Sequence, residues 1–334
     1  MMKRYLLPQN GTFYKANLHT HTTVSDAEMT PQEVKQWYKD HGYSVVAFTD
    51  HDVLLDQSGF TEEGFLPLNG FEVEIDKPRY PSYSAIRTCH ICMIAKDPDN
   101  LTMPVYHRTK YMIGNGDLYR DRIKFDESQP DYEREYTPEC VNDIIRRGKE
   151  AGFFVTYNHP TCTLEPYPVY MSYQGMDAME IMNYGAARTG AMEYNARVYD
   201  DMLQGGKRVF AVAADDTHSL GDCGGGWVMI KAEKLEYRTI TGALERGDFY
   251  ASFGPEIREL WIEDDRIHIR CSEAIRVVCS YGTGHVRCVN MQPGSPLTEA
   301  DFPLKETDGY FRLTVIDDHN RCADTNAYFL DQLR

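Results

Sequence analysis

The sequence predicts an α/β fold that ends in an antiparallel β region, and three observations carry that reading. Apolar runs of strand length alternate with amphipathic helical segments from about residue 15 to 220. Strands separated by helices in this rhythm pair in parallel. After about Gly254 the period changes to two, as in "ELWIEDDRIHIRCS" and "GYFRLTVIDD", the pattern of half-buried hairpin strands.

Taken in order, "KANLHTH" is the first strand and "TPQEVKQWYKDHG" the first helix. Thr30 suits the N-cap, Pro31 the first helical position, and Glu33 completes a capping box. Val34, Trp37 and Tyr38 fall on one stripe, and Gly42 fits the stop. "YSVVAFTDHD", "GFLPLNGFEVEI" and "RTCHICMIA" are the next strands. Residues 96–137 break the rhythm with tyrosines and charges of both signs, which suits a functional lid or a small insertion. "TPECVNDIIRRGKEAG" is a helix ending at Gly152, followed by the strands "FFVTYNHP" and "MDAMEIMNY". "GAMEYNARVYDDMLQGG" is a helix stopped by Gly205 or Gly206, and "KRVFAVAADDTH" is the seventh strand. The character changes after "LERGDFYASFGPEI", with turns expected at Asp264-Asp265, Gly282-Thr283-Gly284 and Asp308-Gly309. This divides the chain into a main domain, residues 1–250, and a β-rich appendage, residues 251–334.

The bulk properties narrow the function. With 334 residues, 42% hydrophobic and 26% charged, the chain can bury a sizeable core. It has no apolar run long enough for a membrane span. The N-terminal apolar stretch is too short for a signal peptide, so a cytoplasmic protein is expected. The net charge of −16 repels phosphate backbones, so long nucleic acid is not an expected partner. An anionic substrate needs a local positive centre, which bound metal ions supply. Nine cysteines at irregular spacing read as free thiols. Cys89 and Cys92 mimic a CxxC site but fall on opposite faces of a strand. Nothing in the sequence fixes an oligomeric state.

The chemistry gathers at the ends of the expected strands. These positions hold His19, His21 and Asp26; Asp50, His51 and Asp52; Glu72 and Glu74; His90; His159; and Asp215, Asp216 and His218. Singly, each histidine is more often a hydrogen-bonded structural residue. Repetition at strand ends, where α/β folds build sites, carries the inference. His19/His21 and Asp216/His218 use i, i+2 spacing, so each pair faces one way at about 7 Å. Zn, Mn and Fe accept such mixed nitrogen and oxygen sets.

The stretches "NLHTHTTVSDAEMTPQEV", "VVAFTDHD", "GFE", "CHIC", "NHP" and "DDTH" occur in the order found in the PHP (polymerase and histidinol phosphatase) superfamily, which the sequence resembles over about residues 15–220. The resemblance implies a distorted, TIM-like (β/α)7 barrel carrying two or three divalent cations. It places His19, His21, Glu72 and Asp216 at one metal. Glu72 would bridge to a second, held with His90 and His159, while Asp26, His51 and His218 would hold a third. Ala27 stands where many members have Gly, which bears on the shape of that loop. Asp50 and Asp52 are expected to orient His51; Glu74 and Asp215 are not expected to ligate. The implied activity is hydrolysis of a small phosphorylated metabolite or short nucleotide by a metal-activated hydroxide. Arg108, Lys110, Arg120 and Arg188 are candidates to grip a remote phosphate. The C-terminal stretch resembles the carbaryl-hydrolase-like branch, which opens carboxylic ester or carbamate hydrolysis as the alternative. His41, His107, His268, His285 and His319 match no motif of the family.

Overall fold

The computed structural model describes residues 3–76 and 88–333. Seven strands build the main sheet: β1 (Thr12–Asn17), β2 (Val45–Phe48), β3 (Leu66–Asp76), β4 (Thr88–Ala95), β5 (Phe153–Tyr157), β6 (Ala178–Asn183) and β7 (Phe210–Ala214). They lie side by side in chain order. Just beyond β1 and β7, the two ends of this run meet: Asp216 N donates to His19 O at 3.0 Å and His21 N to Thr217 O at 3.0 Å. Thr20 and Thr217 form the bridge between them.

One strand departs from the expected parallel order. β4 pairs antiparallel with both β3 and β5, while the other neighbours in the run are parallel. The chain therefore runs in opposite directions in β3 and β4. His90 consequently sits near the beginning of its strand, not at its C-terminal end, and the reversal brings that beginning to the same rim as the other ligands. Alternation along β3 sorts its side chains: Phe71, Val73 and Ile75 enter a large apolar core while Glu72 faces the opposite way, 1% exposed.

The helices follow their capping chemistry. α1 (Pro31–Asp40) starts at Thr30, whose hydroxyl accepts from Glu33 N, while Glu33 reaches back to the cap. Gly42 follows at φ +78°, the left-handed conformation that glycine adopts without a Cβ clash. Val34 and Tyr38 are fully buried. α2 (Pro138–Glu150) buries Val141, Ile144 and Ile145 against β4 and β5. After the short helices α3 (Tyr167–Tyr170) and α4 (Tyr184–Arg188), α5 (Ala196–Gln204) begins six residues later than the sequence suggested, because Glu193 and Asn195 are engaged in loop contacts. α6 (Tyr237–Arg246) ends at Gly247.

Residues 96–137 form an ordered insertion with a short 3₁₀ turn (Gly116–Arg122) and a two-residue parallel strand pair. It packs on the loop that carries Asp26. Asn115 N donates to Ser25 O at 2.7 Å, and a Cβ on Gly114 would lie 2.1 Å from that carbonyl, so only glycine permits the approach.

The C-terminal region is a two-layer β arrangement. A sheet of Arg4–Tyr5, Ile257–Glu263, Arg266–Ala274 and Leu297–Pro303 faces strands Cys322–Thr325, Tyr310–Ile316, Arg276–Tyr281 and Val286–Asn290 across a shared apolar core. The Asp264-Asp265 turn has both φ angles positive, as a tight hairpin needs. The strand Trp227–Ala232, absent from the sequence reading, joins this region to the main sheet. It pairs with β1 on one side and with Phe249–Ser252 on the other, which in turn pairs with Cys322–Thr325. Among the described residues no helix is long and apolar enough to cross a membrane.

Candidate metal centre

The strand ends bring all nine expected donors into one cluster. Glu72 is its centre. Its two oxygens lie 3.2 Å from His19 Nε2, 3.3 Å from His21 Nε2, 3.4 Å from His51 Nδ1, 3.2 Å from His90 Nδ1 and 3.6 Å from His159 Nε2. The five imidazoles close a ring around it, with successive centroids 4.4–5.7 Å apart, and His218 stacks on His21 at 4.3 Å. Asp216 Oδ1 is 3.2 Å from both His19 Nε2 and His21 Nε2. Asp26 lies at the outer edge, 3.9 Å from His21 and His51 and 3.7 Å from His218.

The donors fit a cation. His21 Nδ1, His51 Nδ1, both nitrogens of His90, His159 Nδ1 and Asp216 Oδ1 are buried without a hydrogen-bond partner. A protein interior rarely tolerates such orphans, and of these His51 Nδ1, His90 Nδ1 and Asp216 Oδ1 face the centre of the cluster. His19 Nε2 and His21 Nε2 are 3.0 Å apart. Separations of about 3 Å are the edges of a coordination shell with bonds of about 2.1 Å. Donor atoms within 4.8 Å of one another form the groups His19/His21/Glu72, His51/Glu72/His90 and His21/Asp26/His51/His218. His51 thus stands between the expected second and third positions, because its Nδ1 turns to Glu72 while Nε2 faces Asp26.

The electrostatics are those of opposed charges sealed together. Burial pushes the Glu72 and Asp216 carboxyls up, but the neighbouring imidazoles hold both well below the usual carboxylate range. Burial lowers His21, yet Asp216 and Glu72 raise it to about 9. His51 is lowered to about 3 by burial and by His21. Backbone strain concentrates here as well: His159, Asp216 and Asp52 adopt φ of +25°, +52° and +55°.

The supporting carboxylates differ from expectation. Neither Asp50 nor Asp52 hydrogen-bonds to His51. Asp50 accepts from Thr22 N at 2.7 Å and Ser25 Oγ at 2.9 Å, so it fastens the turn leading to Asp26. Asp52 pairs with Arg134, which reaches in from the insertion and also donates to Glu74 O at 3.0 Å. Glu74 faces His90 Nε2 at 3.8 Å, behind the ligand. Asp215 points away as expected, accepting from Gly224, Gly225 and Gly226 N at 2.7–2.8 Å and from Tyr38 OH at 2.8 Å. Two residues escaped the sequence reading. Asn158 donates to Glu72 Oε1 at 2.6 Å, and Glu180 contacts His19 Nδ1 at 2.7 Å. Their signal was a polar side chain inside an apolar strand or at its end, "YNHP" and "AMEIMN".

The four proposed cations are each engaged. Arg108 pairs with Asp131 at 2.6 Å, Lys110 with Glu133 at 2.7 Å and Arg120 with Asp117 at 2.5 Å, all within the insertion. Arg188 is different: among the described residues its ion pair is a 3.4 Å contact to Asp222, in the loop that follows His218. His41 stacks on Trp37 and His268 on Trp261, while His107 faces Glu133 at 3.2 Å within the insertion. His285 contacts Thr283, and His319 is exposed.

Nine donors gathered at one rim of an α/β sheet, with buried nitrogens left for a cation, form a candidate metal centre. Residues 17–149 match the PHP domain family. The candidate donors His159, Asp216 and His218 lie beyond the matched residues. Among curated proteins, none matches the sequence. Solved structures similar to the chain include a two-domain protein from Bacteroides vulgatus containing a predicted PHP-like metal-dependent phosphoesterase. That protein is 14% identical, with 98% of this chain and 97% of that one covered and a TM-score of 0.46. The lesion-specific endonuclease EndoQ of Pyrococcus furiosus is 14% identical over 70% of this chain and 56% of its own, at a TM-score of 0.45. An amidohydrolase from Chromobacterium violaceum is 17% identical over 62% and 88%, at 0.38.

Proposed function

We propose that the protein is a phosphoesterase acting on a small phosphorylated metabolite or short nucleotide. In this reading the seven strands form a distorted barrel whose rim holds two or three divalent cations, Zn, Mn or Fe. The observation that carries it is the single carboxylate of Glu72, sealed among five imidazoles with nitrogens that nothing else satisfies. When bound, the cations lower the pKa of water and neutralise charge on a phosphoryl group.

The residues assign the rest. His19, His21 and Glu72 are buried to within 1% of full, whereas Asp26 is 29% and His218 38% exposed, so substrate approaches from the Asp26/His218 side. Arg188 stands on that side, loosely held, and is the cation best placed to take a second anionic group. Asp50 holds the outer ligand loop through Ser25, and Arg134 ties the insertion to Asp52.

The test is to remove metal, reload with Zn²⁺, Mn²⁺ or Fe²⁺, confirm metal content, and screen phosphomonoesters and diesters. Turnover of p-nitrophenyl phosphate over p-nitrophenyl acetate is the expected result. The reverse preference would transfer the site to carboxylic esters or carbamates, and no turnover by any loaded form would overturn the proposal.

A further inference from the structure

β6 is the one strand of the seven from which the ligand set takes no residue. We infer that Glu180, at its centre, is the positioning residue that sets the ligands of three other strands. This inference rests on the metal-centre reading above.

Glu180 is 1% exposed and uses both oxygens. Oε1 lies 2.7 Å from His19 Nδ1. Oε2 accepts from His159 N at 2.9 Å and from Asn183 Nδ2 at 2.9 Å. Asn183 Nδ2 also donates to Asp216 Oδ2 at 3.2 Å. One carboxylate therefore touches ligand residues beyond β1 and β5 directly, and the ligand beyond β7 through Asn183.

The consequence for His19 is a fixed tautomer. A carboxylate at Nδ1 accepts a proton there, which leaves the lone pair on Nε2. Nε2 is the nitrogen that faces Glu72 and Asp216, each at 3.2 Å. The consequence for His159 is a fixed backbone. Its φ of +25° is one that side chains rarely adopt, and the bond from its N–H to Glu180 holds it there. A second reading exists, since donor atoms of Glu180, His19 and His159 lie within 4.8 Å of one another and could themselves hold a cation. That arrangement would take the His19 ring by Nδ1 or leave that nitrogen without its partner, turning the Nε2 lone pair from the cluster.

Glu180→Gln distinguishes these. An amide offers one acceptor oxygen where three donors converge on two. Whichever way it turns, its NH₂ group faces another N–H. The variant is expected to keep its circular dichroism and to bind the first Zn²⁺ roughly 10–100-fold more weakly in a chelator competition. Nitrogen-15 NMR of histidine-labelled wild-type protein, with His19 assigned by its loss in His19→Asn, is expected to show the proton on Nδ1 with and without Zn²⁺. Unchanged Zn²⁺ affinity in Glu180→Gln, or a His19 protonated on Nε2 or metallated on Nδ1, would overturn the inference. The wild-type spectrum decides the matter even if the variant fails to fold. Wild-type protein that takes up no metal would instead overturn the reading on which the inference stands.

Discussion

At the scale of single residues, most candidate ligands were legible because they stand just beyond a strand, where an apolar run stops on a charged or imidazole side chain, while Glu72 and His90 lie within their strands. Their supports were not, since a hydrogen-bond partner carries no spacing signature. Asp50 and Asp52 flank His51 in sequence, yet one fastens Ser25 and the other Arg134. Arg134 and Asp52 are both buried, and removing one charge strands the other. Arg134→Met is therefore expected to destabilise the fold by about 3–5 kcal/mol, read from urea unfolding. Glu165 offers a pH test. It accepts from Tyr136 and Tyr157 at 2.7 and 2.6 Å and from Tyr173, but burial still raises its carboxyl above the ordinary 4.5. A group that holds its proton more tightly folded than unfolded makes folding less favourable as pH climbs from the unfolded value towards the folded one. Urea midpoints measured upward from pH 4.5 should fall more steeply for the wild type than for Glu165→Gln; equal slopes would refute the assignment.

At the scale of elements, local chemistry announced what it controls and nothing more. Thr30, Pro31 and Glu33 specify the start of α1 by themselves, and Thr30→Ala should cost about 1 kcal/mol in unfolding free energy. The direction of β4 is different. "RTCHICMIA" reads the same whether its neighbours are parallel or antiparallel, because buried strands are apolar on both faces in either case. The strand Trp227–Ala232 had its signal in plain alternation, with Val228, Ile230 and Ala232 buried, but it is six residues long and follows three glycines that read as loop.

At the scale of the molecule, sequence composition hinted at two regions, and the hydrogen bonding shows how they share strands. Phe249–Ser252 pairs with Cys322–Thr325, and Arg4–Tyr5 with Ile262 and Trp261. A chain ending at Ser252 would expose the strand edges that pair with Cys322–Thr325 and Ile257–Glu263 and uncover Leu7 and Tyr250, and size-exclusion chromatography should find it aggregated; a monodisperse product would show that the main domain stands alone. Metal should act on the whole fold. Free Zn²⁺ at one hundred times its dissociation constant is expected to add about 2.7 kcal/mol per site to the unfolding free energy, reversed by a chelator.

The meeting of His19 and His21 with Asp216 also sets an order of events during synthesis. The two histidines leave the ribosome about 200 residues before their carboxylate partner, which at 5–20 residues per second is roughly 10–40 s. Throughout that interval the nascent chain displays a metal-chelating pair with no closed shell to hold a cation. Glu72, His90 and His159 emerge in turn, so coordination number grows stepwise and the last donor arrives with the segment that joins the two ends of the sheet. Asp216 and His218 emerge before the strands Trp227–Ala232 and Cys322–Thr325 are made, so in the metal-centre reading the donor set is complete before the fold is.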